Sequence, residues 1–84
     1  MKLSVLYLAR LREAFGRASE SLELPESADL ATLVDRLRER GGAWSKELAA
    51  GRAVRIAVNQ EMAASNVVLC DGDEVALFPP VTGG

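Results

Sequence analysis

The spacing of hydrophobic positions predicts the elements of this chain almost from end to end. Over residues 3–9, Leu3, Val5 and Tyr7 fall on one face of an extended segment and Leu6 and Leu8 on the other. Both faces are apolar, so the segment reads as an interior strand. Glu13-Ala14-Phe15-Gly16-Arg17 reads as a loop or short turn. Leu22 and Leu24 recur at period two within residues 19–24, a second strand that Pro25 stops. Asp29 is placed to cap a helix through Leu30, Leu33, Val34 and Leu37, the i, i+3, i+4, i+7 stripe of one buried face. Gly41-Gly42 ends that helix, and residues 44–50 predict a short second helical turn closed by Gly51. Val54, Ile56 and Val58 alternate as a third strand running into Asn59-Gln60. Val67-Val68-Leu69 is a short apolar run and Asp71-Gly72-Asp73 a turn signal. Residues 74–78 form the last strand. No repeat or low-complexity linker interrupts the series.

The order strand, strand, helix, short helix, strand, strand predicts an α+β roll of the ubiquitin-like (β-grasp) kind. In it, one main helix covers a mixed four- to five-stranded sheet. The first and last strands can pair in parallel at the centre, because the helix-containing crossover between them is long enough. Residues 1–78 are expected to form the domain and residues 79–84 an extended, flexible tail.

Eighty-four residues hold one core. An apolar fraction of 49% argues for a folded globule. The formal charge of −2, with no basic stripe interleaved with aromatics, gives no case for nucleic acid. The apolar opening stretch is cut short by Arg10 and Arg12, with no small-residue cleavage site after it, so neither a leader nor a membrane span is expected. A single cysteine, Cys70, excludes an internal disulfide and fits a reducing cytoplasm. The chain has no histidine, so the commonest general base and metal ligand are missing, and it contains no phosphate-binding glycine loop. A self-sufficient enzyme is not expected; a partner supplies most of the chemistry.

The candidate chemistry lies at the end of the chain. Pro79-Pro80-Val81-Thr82-Gly83-Gly84 follows an apolar strand directly. Proline cannot donate to a sheet ladder, so the strand should stop at Phe78. Six extended residues reach about 20 Å, far enough to enter another protein. Glycine lacks a Cβ, so Gly83 and Gly84 could pass a channel closed to other side chains. The segment is suited to presenting the carboxylate of Gly84.

These residues carry a specific likeness. Val58-Asn59-Gln60, Leu69, and the whole run from Asp71-Gly72-Asp73-Glu74 through Phe78-Pro79-Pro80 to Gly83-Gly84 resemble the small subunit of molybdopterin synthase, the MoaD-type sulfur carrier. The likeness extends more loosely to Val5–Glu13, while the helix matches by pattern alone and is unusually rich in arginine. The resemblance implies an E1-like enzyme that uses ATP to adenylate Gly84. A sulfur donor protein then converts the adenylate to a thiocarboxylate. It also implies insertion of the tail into the large synthase subunit, where sulfur passes to cyclic pyranopterin monophosphate to build a dithiolene. The assembly implied is a heterotetramer, and the carrier itself binds no cofactor.

On this reading Gly84 carries the acyl group and Gly83 lets it thread, while Pro79, Pro80, Val81 and Thr82 line the partner's channel. Phe78 is a candidate interface anchor as well as a candidate core residue. Arg12, with Arg10 and Arg17, is a candidate contact for an acidic partner surface, though turn arginines are also simply solvated. Arg36, Arg38 and Arg40 are expected on the solvated side of the helix. Cys70 is expected to be an inert core residue. Asp71, Asp73 and Glu74 spell turn chemistry, and too few oxygens gather there for a calcium cage. A thiamin-thiazole sulfur carrier and a ubiquitin-like protein modifier share the Gly-Gly ending and the first activation step. The double proline argues against the former.

Overall fold

The computed structural model describes residues 1–80. In chain order the elements are β1 (Lys2–Tyr7), α1 (Arg10–Phe15), β2 (Ser19–Glu23), α2 (Leu30–Arg38), α3 (Gly42–Glu47), β3 (Arg55–Val58), β4 (Glu61–Met62) and β5 (Glu74–Phe78). The strands form one sheet in the order β2-β1-β5-β3-β4. β1 and β5 pair in parallel at its centre, with Val5 beside Val75 and Tyr7 beside Leu77, while the other pairings are antiparallel. This is the β-grasp roll, and the expected central pairing is present.

The core follows from alternation. Leu3, Val5 and Tyr7 of β1 and Val75 and Leu77 of β5 are at most 1% exposed, and they meet Leu33 and Leu37 of α2 and Leu11 of α1, which are fully buried. Each such side chain contributes roughly 1.5–3 kcal/mol by leaving water. α2 begins where its cap predicts: Asp29 accepts hydrogen bonds from the Thr32 N–H at 2.8 Å and the Thr32 hydroxyl at 2.7 Å. Asn66 reinforces the same turn, donating to Asp29 at 3.0 Å and accepting from the Ala31 N–H at 3.0 Å.

Three expectations need correction. The segment read as a loop at residues 13–17 includes the last turn of α1. Leu11 and Phe15, four residues apart, bury one side of that helix, and Gly16 closes it at φ 70°, donating to the Arg12 carbonyl at 3.0 Å. The second short helix begins and ends earlier than expected, at Gly42–Glu47. The apolar run Val67-Val68-Leu69 makes a single bridge, Asp29 to Val68. The extra edge strand is β4, because Asn59 at φ 50° and Gln60 at φ 71° turn the chain straight back after β3. Two successive positive φ values define the tight turn whose twist matches a hairpin. Lastly, β1 is interior within the sheet but covered on one face only. Leu6 is half-buried and Leu8 is 44% exposed.

Candidate functional site

β5 ends at Phe78, as the prolines require, and the Leu8 N–H donates to the Leu77 carbonyl at 3.0 Å. Pro79 and Pro80 are half-buried. Val81 and Thr82, expected to line a partner's channel, and Gly83 and Gly84, expected to thread it and carry the acyl group, lie outside the described residues.

Beside the point where β5 ends, the uncovered sheet face is apolar. Leu6 pairs with Ala76, Ala76 with Ala57, and Ala57 with Met62, giving one row across β1, β5, β3 and β4. Met62 is 55% exposed. None of these four belongs to the core cluster, although Ala57 at the middle of the row is buried. One step nearer the tail lie Leu8, half-buried Phe78 and, opposite Phe78, exposed Arg55. The alanines leave a shallow floor between larger side chains. Apolar residues gathered on an uncovered face mark an interaction surface. Phe78 is therefore on the open face of the sheet and not in the core cluster.

Arg12 is exposed on α1, immediately after the strand that pairs with β5. Its neighbours behave differently. Arg10 pairs with Glu47 of α3 at 3.4 Å and Arg17 with Glu20 at 3.3 Å. Arg38 reaches Asp35 at 2.6 Å and the Leu48 carbonyl at 3.3 Å. Arg40 departs most from a merely solvated residue. It grips Glu20 with two hydrogen bonds, 2.7 and 2.8 Å, and lies 4.5 Å over the Trp44 ring. Trp44 stacks on Phe15 at 3.9 Å, and Tyr7 meets both rings edge-on. The Tyr7 hydroxyl donates to Glu20 at 2.5 Å. Arg40's hydrogen bonds, with that of Tyr7, hold the Glu20 carboxyl below its usual range. Burial, then the hydrogen bond to Glu20, pushes the Tyr7 phenol far up. This clamp fixes α1 and α3 at the end of the sheet from which the tail departs.

At the other end, the acidic run builds a turn. The Asp71 carboxylate accepts from the Lys2 N–H at 2.7 Å, and that of Asp73 from the Cys70 N–H at 2.8 Å and the Asn59 amide at 2.9 Å. Gly72 at φ 87° donates to the Lys2 carbonyl. No cluster of three potential metal ligands occurs among the described residues. Cys70 is exposed, not a core residue, and precedes β5 at the end of the sheet remote from Phe78. Among the described residues no helix is long and apolar enough to cross a membrane.

A domain with this strand order and helix placement belongs with the ubiquitin-like, β-grasp proteins. The chain is a member of the ThiS family, whose match covers residues 5–84. It is 38% identical to the molybdopterin synthase sulfur carrier subunit of Mycobacterium tuberculosis, over 100% of this chain and 99% of that one. In structure it is similar to SAMP1, small archaeal modifier protein 1, of Haloferax volcanii: TM-score 0.85, 26% identity, 100% of both chains. It is also similar to a chain from the complex of subunits 1 and 2 of molybdopterin-converting factor of Helicobacter pylori. There the TM-score is 0.71 and the identity 25%, again over 100% of both chains.

Proposed function

We propose that this chain is the sulfur carrier subunit of a molybdopterin synthase, acting in the cytoplasm through the carboxylate of Gly84. The observation that carries the reading is the apolar row Leu6–Ala76–Ala57–Met62, continued by Phe78, beside the strand that leads into Pro79-Pro80-Val81-Thr82-Gly83-Gly84. A docked sheet face holds the base of the tail, and the tail reaches the partner's active site. The likeness to named sulfur carriers supports the same role.

The chemistry is that of a nucleophile mounted on an arm. A Gly84 carboxylate oxygen attacks the α-phosphorus of ATP in an E1-like enzyme, and pyrophosphate leaves. A sulfur nucleophile supplied by a donor protein then attacks the acyl carbon, AMP leaves, and a thiocarboxylate remains. In the large subunit that sulfur bonds to a side-chain carbon of cyclic pyranopterin monophosphate as an oxygen substituent leaves the same carbon. Water then cleaves the acyl–sulfur bond and restores the carboxylate, and a second transfer completes the dithiolene. Docking contributes by proximity, since the reacting sulfur no longer has to be captured from solution. The carrier is not itself an enzyme on this reading.

Removal of Gly83 and Gly84 tests it. With activating enzyme, ATP, a sulfur source and large subunit, the full chain should support molybdopterin formation and the shortened chain none, at equal thermal stability. Retained product would refute the reading. A second reading, protein modification by isopeptide bonds from Gly84 to lysines, is favoured by the likeness to SAMP1. It predicts ladders of conjugates in a lysate in place of one stable complex.

A further inference from the structure

The ten cations and twelve acids of the chain are segregated along the strand axis. Because β1 and β5 run parallel, the sheet has a Glu74 end, beside Ser4, and a Phe78 end. β2 and β3 run the other way, which puts Glu23 opposite Lys2 at the Glu74 end and Arg55 opposite Phe78. The hairpin after β3 returns Glu61 to the Glu74 end. α2 starts there too, where Asp29 bridges to Val68, and the turn after it reaches Glu20 through Arg40. α1 leaves β1 next to Leu77, and Arg10–Glu47 ties α3 to it. Sorted in this way, seven of the acids share the Glu74 end with one cation, Lys2, and the nine other cations lie in the half leading to the tail. The two halves carry formal charges of −6 and +4, which together make the −2 of the chain.

Three of the five acids in the tail half, Glu20, Asp35 and Glu47, are already held by arginines. Among the described residues Arg12, Arg36 and Arg55 form no ion pair and are exposed. Charge of one sign gathered at one pole orients a molecule as it approaches and raises its association rate. From this we infer that the protein receiving the tail carries an acidic rim around its channel, and that the charge dipole of this chain steers it in tail-first. The inference rests on the carrier reading and adds the chemistry of the partner's surface.

Stopped-flow association with the large subunit of molybdopterin synthase from the same organism tests it, at ionic strengths from about 0.02 M to about 0.5 M, where the screening length falls below the size of the charged pole. The native chain should lose at least about tenfold in association rate across that range. Arg12→Gln, Arg36→Gln and Arg55→Gln together should flatten the salt dependence. Glu23→Gln, Glu26→Gln and Glu61→Gln, a change of the same size and opposite sign in net charge at the far end, should leave it steep. A flat native profile, equal effects of the two triple variants, or an arginine effect confined to the dissociation rate would each overturn the steering inference while leaving the carrier reading intact. No complex at the lowest ionic strength, with folded protein, would instead remove the carrier reading and the inference with it.

Discussion

The two faces of this sheet are built from the same five strands and have opposite fates. On one, Leu3, Val5, Tyr7, Val75 and Leu77 disappear beneath α1 and α2, at 1% exposure or less. On the other, Leu6, Ala57, Ala76, Met62 and Phe78 alternate with them along the same backbone and lie outside the core cluster, Ala57 alone among them being buried. An 84-residue chain has little apolar surface to spare for its own stability. Leaving such a row uncovered fits the proposal that a partner covers it. On the carrier reading, the contrast separates residues that hold the domain together from residues that hold it to a partner, although they are neighbours in sequence.

Mutations one residue apart should break the contrast most sharply. Leu77→Ala, on the covered face, should cost roughly 2–5 kcal/mol of folding stability, read from denaturant unfolding. Phe78→Ser, its neighbour on the open face, should leave that stability nearly unchanged. Its effect should appear in calorimetry with the large subunit, as a loss of about 2 kcal/mol or more in binding. Equal losses of stability from the two changes would show that both faces are structural. The clamp at Glu20 should behave as part of the covered side. Arg40 and Tyr7 lower the Glu20 carboxyl below its usual value of 4.5, so its contribution is complete above that pH and is lost as pH falls through the lowered value. Tyr7 has the opposite sign: its raised phenol contributes fully below its usual value of 10, and that contribution is lost only in strong alkali. Glu20→Gln should therefore remove about 1–3 kcal/mol at neutral pH and flatten the acid limb of a stability–pH curve, with partner affinity little altered. The smallest effect is expected from Met62→Ser at the edge of the open face: about 0.5–1 kcal/mol in partner binding and none in stability.

Much of this division is legible in the sequence, because local rules and tertiary structure agree there. β1, β2 and β5 follow period-two alternation, Asp29 caps α2, and Pro79 ends β5. α1 escapes a sequence reading because it offers one buried pair, Leu11 and Phe15, and its glycine reads as a loop as readily as a helix terminator. β4 escapes because Asn59-Gln60 lacks the glycine that usually marks so tight a turn. Two apolar faces on β1 look like double burial, and only the positions of the helices show that one is left open. The Arg40–Glu20–Tyr7 clamp draws on β1, β2 and the turn after α2, and leaves no periodic trace. Cys70 reads as core from its apolar neighbours, yet the turn that follows it places it at the surface. The tail is the reverse case, since its sequence alone carries the proposal for Gly83 and Gly84.

The most direct test of the central claim is the intact mass of the chain after incubation with ATP, a sulfur source and an extract of its host. The account predicts a gain equal to the replacement of one oxygen by sulfur, confined to Gly84. An unchanged mass, in an extract that converts a known carrier to its thiocarboxylate, would contradict it.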